Sequence, residues 1–169
     1  MGIEHLRCCG VSKATPNRLA FLTEPTIIPS ELDTLGKTMK LVLTASAYIL
    51  IVFPLAIGWH LGFFREKYVA FGYFEGEPNV LLGLAAIVMQ GIALALIYPH
   101  FQGNSAGFVR AFQFASLMGL FFWTSHVLAF VAKNTIPNCA EFMIMESAYL
   151  IIQFGLFGLA VGLIHRSST

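Results

Sequence analysis

Apolar residues run almost unbroken through four stretches of this chain, residues 41–64, 80–98, 111–131 and 142–164, of 24, 19, 21 and 23 residues. A hydrocarbon core about 30 Å thick needs about 20 helical residues at about 1.5 Å each, so every stretch is predicted to cross a bilayer as a helix. Polar connections between them are short, which makes neighbouring spans antiparallel. The expected fold is all-α: an integral membrane up-down-up-down four-helix bundle over residues 31–166, preceded by an extended cytoplasmic arm, residues 1–30.

Local signals place the ends of these elements. Pro16, Pro25 and Pro29 leave the arm without a helical apolar period. Ser30-Glu31-Leu32-Asp33 fits the Ser-x-x-acid start signal, so the first helix is expected to begin near Glu31 and enter the membrane after Lys40. Asn79 is placed to cap the second span, and Asn138 with Glu141 three residues later resembles a capping box for the fourth. Residues 99–106, with Gly103-Asn104-Ser105, read as a short turn. The connection 65–78 carries Tyr68, Phe71, Tyr73 and Phe74, residue types that favour the membrane–water boundary, and is expected to lie flat on the outer surface. The apolar stretch 21–28 suits a partner or the headgroup layer.

Only three acidic or basic side chains interrupt the spans: His60, His126 and Glu146. Charge inside a bilayer costs roughly 2.5–3.5 kcal/mol at mid-span on insertion scales, so such groups are expected to face the interior, paired or functional. Each lies four or five residues from the same end of its span, about 6 Å deep at 1.5 Å per residue. On the fourth span Glu146, Tyr149 and Gln153 share one face, while Gly155, Gly158 and Gly162 gather on the other. The polar face is expected to look into the bundle. The glycine face, with Gly158-x-x-x-Gly162, permits close approach by another helix.

Three readings compete for this polar cluster. His60, His126, Glu146, Gln90 and the indoles of Trp59 and Trp123 could form a hydrogen-bonded network that fixes helix register. The histidines could instead ligate a metal, with Glu146 as third ligand, or a b-type haem, with His100 and His165 as a second pair near the other surface. Trp59, Trp123, His60 and Glu146 could also line a quinone or lipid pocket. Pro54 is expected to kink the first span, Gly58 and Gly62 to allow close packing beyond it, and Lys133 to snorkel or to pair with Glu141 or Glu146.

A direct repeat of two plus two spans is suggested by spacing. Trp59-His60 precedes Lys67 by seven residues from the histidine, and His126, following Trp123, precedes Lys133 by seven. Gln90 and Gln153 fall 31 and 30 residues beyond the two tryptophans, and His100 and His165 close the second and fourth spans.

Composition narrows the function classes. With 57% hydrophobic and 11% charged residues among 169, and mean hydropathy +0.74, no separate soluble catalytic domain fits. A net charge of +1 gives no basic stripe for nucleic acid. Seven of the ten Lys and Arg residues fall on the side of the termini and three on the other, which predicts cytoplasmic N- and C-termini, in a bacterial inner membrane. The arm lacks a secretory signal pattern. Cys8, Cys9 and Cys139 give no disulfide framework and read as free thiols. HExxH, CxxC, GxSxG and P-loop patterns do not occur, so catalysis has no positive support.

The layout Trp59-His60-x-x-Phe63, then Tyr68 and Gly72, a Gly-rich second span ending in Tyr98-Pro99, Gly119 in the third, and Ala132-Lys133-Asn134 before the fourth resembles small four-span bacterial membrane proteins grouped as a domain of unknown function. The resemblance covers roughly residues 40–165 and implies a four-helix membrane fold without an activity. The function expected from the residues is a non-enzymatic accessory subunit of a larger membrane complex, of respiratory or photosynthetic type. It would dock through Gly155, Gly158, Gly162 and the N-terminal arm. The alternative is a haem-, metal- or quinone-binding redox protein built on His60, His126, Trp59, Trp123 and Glu146.

Overall fold

The computed structural model describes residues 28–74, 76–103 and 107–166, so the arm up to residue 27, Cys8, Cys9 and the Asn104-Ser105 turn lie outside the described residues. All regular structure among the described residues is helical. The elements are α1 (Ile28–Ala56), a π-helical segment π1 (Ile57–Phe63), α2 (Arg65–Ala70), α3 (Val80–Gln102), α4 (Phe108–Trp123), a second π-helical segment π2 (Thr124–Leu128), α5 (Ala129–Lys133) and α6 (Cys139–Ile164). Among the described residues, four helical stretches are long and apolar enough to cross a membrane: Glu31–Phe63, Val80–Gln102, Phe108–Lys133 and Cys139–Ile164.

Helix ends follow the capping logic with one exception. Asn79 Oδ1 accepts from the Leu82 amide at 3.0 Å. Asn138 Oδ1 accepts from the Glu141 amide at 3.4 Å, and its Nδ2 donates to Glu141 Oε2 at 2.7 Å. The first helix starts earlier than expected, at Ile28, which puts Ser30 inside it rather than at its cap. Pro29 suits that first turn, because its missing N–H would have no intrahelical acceptor there.

The spans pack in the order α3–α1–α6–α4, with α3 and α4 meeting mainly near their short connection. α6 is the central element. Its buried positions include Phe142, Glu146, Tyr149, Gln153, Phe157 and Val161, the i, i+3, i+4 spacing of one helix face. The glycine face expected for a neighbouring subunit is largely covered within the chain. A Cβ on Gly158 would lie 3.1 Å from Ala115 Cβ, and one on Gly162 would lie 2.5 Å from Phe108 Cδ1, so α4 already occupies both positions. Gly155 stays open. The closest backbone approach on the other side is at Gly91, whose added Cβ would meet the Ala45 carbonyl oxygen at 3.1 Å and bring α3 against α1. Gly58 and Gly62 face only their own helix.

The connection 65–78 departs from its expected flat placement. It forms α2 and then folds inward, burying Tyr68 completely and Phe71 almost completely. Tyr68 and Phe71 pack edge-on against one another and against Phe142 of α6. Tyr73 packs on Phe130 and Phe142, which ties the same connection to α5. Lys67 Nζ reaches Glu141 Oε1 at 2.6 Å and clips α2 to the start of α6; Glu141 thus pairs with Lys67, not with Lys133.

Candidate functional site

The two histidines of the spans sit on the two π-helical segments, His60 in π1 and His126 in π2. Side chains that compete for main-chain carbonyls explain both widened turns. His60 Nδ1 lies 3.1 Å from the Ala56 carbonyl, the acceptor that an α-helix would give to the His60 amide. At the start of π2, Thr124 Oγ1 donates to the Phe121 carbonyl at 2.8 Å, and Ser125 Oγ reaches the Phe121 and Phe122 carbonyls at 3.1 and 3.2 Å. Pro54, three residues before π1, also removes one amide donor from α1. Widened turns of this kind occur often at functional sites.

Both imidazoles meet at Glu146. His60 Nε2 lies 3.0 Å from Oε1, and His126 Nε2 lies 3.1 Å from Oε2. The first contact is a hydrogen bond; the second is within ion-pair range but poorly aligned, so Oε2 has no hydrogen bond among the described residues. Glu146 is 0% exposed, His60 nearly buried, and the His126 side chain 40% exposed. The sequence-predicted trio is therefore assembled around the carboxylate, with His126 as its outward member.

Donor and acceptor requirements fix the proton count of the His60–Glu146 pair. A carbonyl only accepts, so His60 Nδ1 carries a proton and donates to Ala56. A neutral imidazole then has a bare Nε2. The 3.0 Å contact to Oε1 needs one proton between the partners, held either as imidazolium and carboxylate or as imidazole and carboxylic acid. The pair is neutral as a unit in both arrangements, and neutrality is what burial among apolar spans favours.

Aromatic side chains wall the centre. Tyr68, Tyr73 and Tyr149 pack on the His60 ring at centroid distances of 4.6, 5.7 and 4.7 Å. Tyr73 Oη approaches His126 Nε2 at 3.4 Å. Burial pushes the Tyr68 and Tyr73 phenols above their ordinary range, and the nearby Glu146 charge pushes both further up. The two tryptophans diverge. Trp59 Nε1 donates to Tyr68 Oη at 2.9 Å, whereas Trp123 Nε1 donates to Ser147 Oγ at 2.9 Å on the other flank of α6.

The imidazole Nε2 atoms point onto the carboxylate. Among the described residues no group of three His, Cys, Asp or Glu side chains is arranged to hold a metal ion. Comparison with protein-family models, curated proteins and solved structures finds no match.

Two further polar contacts lie along the same α1–α6 seam. Tyr48 Oη donates to Gln90 Oε1 at 3.1 Å and accepts from Gln153 Nε2 at 2.9 Å, joining α1, α3 and α6. Nearer the chain end, Thr44 Oγ1 and His165 Nε2 lie 3.0 Å apart. His165 is buried there against the Tyr98 ring, while His100 is exposed, so the two do not form the second pair considered above. Gln90 and Gln153 stand out in the sequence as polar groups inside apolar runs. Tyr48 and Thr44 were missed; the signal available was that they are polar-tipped residues inside an otherwise apolar run.

Proposed function

We propose that this chain is a non-enzymatic accessory subunit of a larger membrane assembly, of the respiratory or photosynthetic type. The observation that carries the reading is an open groove of about 430 Å³ between α4 and α6, on two stretches long and apolar enough to cross a membrane. Small residues form part of its lining, Ala115, Ser116 and Gly119 from α4 and Ser147 and Gly155 from α6, among large apolar ones such as Phe112 and Ile151. An added Cβ at Gly155 would meet nothing within 4 Å, so the groove is open there, whereas α4 covers Gly158 and Gly162. Small residues let helix backbones approach closely within lipid, and the occupant that fits is an apolar transmembrane helix of another subunit.

In this reading the His60–Glu146–His126 centre holds α6 to both odd-numbered spans, and the bundle runs up-down-up-down with both termini cytoplasmic in a bacterial inner membrane. The matching π segments and histidines support a 2+2 repeat. Gly155→Leu tests the reading, because it adds bulk to the groove at a position where a Cβ meets nothing within 4 Å. The variant should stay folded in gentle detergent but leave the large assembly on a native gel. Wild-type protein that extracts only as a monomer would contradict it.

One observation favours a second reading, a redox protein. His126 is the exposed member of a proton-holding cluster, and a quinone carbonyl could accept a proton from such a group. A b-type haem would need the imidazoles to release Glu146, and would announce itself by a Soret band lost in His60→Ala or His126→Ala.

A further inference from the structure

At the opposite end of the molecule from Glu146, the ends of three helices surround a cavity of about 570 Å³. Its polar lining comes from Asp33, Lys37 and Lys40 of α1, Gln102 and Gly103 at the end of α3, and His165 after α6. Lys40 is the last charged residue before the apolar stretch 41–64, so in a bilayer this cavity lies at the level of the lipid phosphates.

The lining carries both signs of charge. Lys37 is paired with Asp33 at 2.7 Å, and Lys40 has no ion-pair partner among the described residues. Facing them, α3 and α6 end at the cavity and present the negative ends of their dipoles. A purely anionic ligand would suit the lysines and be repelled by the helix ends and Asp33. A zwitterion with phosphate and ammonium groups would suit both.

His165 adds an acceptor. Thr44 Oγ1 donates to the Lys40 carbonyl at 2.8 Å, so it accepts from His165 Nε2–H. In a neutral imidazole this leaves Nδ1 as a bare acceptor. Burial, and then the charge of Lys40, lower the affinity of His165 for a second proton and keep that acceptor available. Next to it, the buried Tyr98 hydroxyl has no hydrogen-bond partner among the described residues.

We propose that this cavity binds the headgroup of a phosphatidylethanolamine-type lipid. The phosphodiester meets Lys40, and the primary ammonium meets Asp33, the carbonyl ends of α3 and α6, and His165 Nδ1. This site is independent of the groove between α4 and α6.

The test is lipid retention by the full-length protein, reconstituted in nanodiscs holding equal amounts of phosphatidylethanolamine, phosphatidylglycerol and phosphatidylcholine, then extracted and read by native mass spectrometry. Phosphatidylethanolamine should be retained over phosphatidylcholine, whose quaternary nitrogen has no N–H to donate. Lys40→Gln should lower its retention roughly five- to tenfold. Asp33→Asn should remove most of the preference over phosphatidylcholine. Both positions are exposed, and an unchanged elution profile confirms the fold. Equal retention of the three lipids, a preference for phosphatidylglycerol, or unchanged retention in Lys40→Gln would overturn the proposal. Equal occupancy by soluble glycerophosphoethanolamine would overturn the assignment to a lipid.

Discussion

His60 Nε2 lies 3.0 Å from Glu146 Oε1, across 86 residues of sequence and between two membrane-length helices. With His126 on the second carboxylate oxygen, α6 is joined to both spans that contain a π-helical segment. An isolated carboxylate at this depth would be costly, so the two imidazoles and Glu146 depend on one another.

Glu146→Gln keeps the shape and one acceptor oxygen, and should cost about 1–2 kcal/mol, in the range of neutral polar contacts between membrane helices. Glu146→Ala removes the carboxylate that both histidines share and should cost about 3 kcal/mol or more. Thermal unfolding in detergent checks the order wild type, Gln, Ala. A double variant His60→Ala/Glu146→Ala that is no worse than Glu146→Ala alone would show the coupling directly.

Gly91→Leu should separate α3 from α1, because the added side chain meets main-chain oxygen at Ala45, which cannot swing aside. Gly83→Leu, on the same helix with nothing within 4 Å, should be neutral within about 0.5 kcal/mol. Detergent melting curves of the two variants distinguish a close helix approach from a general intolerance of bulk in α3.

Tyr48→Phe leaves Gln90 and Gln153 without the hydroxyl that joins them. A loss of about 1 kcal/mol is expected for the two bonds together, at roughly 0.6 kcal/mol each, and Gln153→Leu in the same background should then cost less than it does alone.

Acidification should weaken the chain end around His165. Burial lowers its folded-state pKa below the ordinary value of 6.5. The unfolded chain therefore binds the extra proton first, so this contribution is complete above about pH 6.5 and declines as pH falls through the folded-state value. Melting temperature measured from pH 7.5 to 5 should fall in this window, and a His165→Gln variant should show a flatter profile.

Much of this fold was legible in the sequence because the bilayer imposes a local requirement: a span must be long and apolar by itself. The shared depth of His60, His126 and Glu146, and the common face of Glu146, Tyr149 and Gln153, follow from rise and rotation per residue alone. Two features were hidden. Aromatic residues in a connection look alike whether they lie on a membrane surface or fold inward, and Tyr68 does the latter. Which helix fills a glycine face is a tertiary choice, so Gly158 and Gly162 could not reveal that α4 of the same chain covers them. The π segments depend on side chains taking main-chain acceptors, and hydropathy does not register that competition.

In the proposed accessory-subunit reading, another transmembrane helix occupies the groove between α4 and α6. A photoreactive phenylalanine analogue at Ser116, activated in native membranes, measures this most directly. One discrete adduct with a second membrane polypeptide, lost in Gly155→Leu, is the predicted result. Adducts with lipid alone, unchanged by Gly155→Leu, would contradict it.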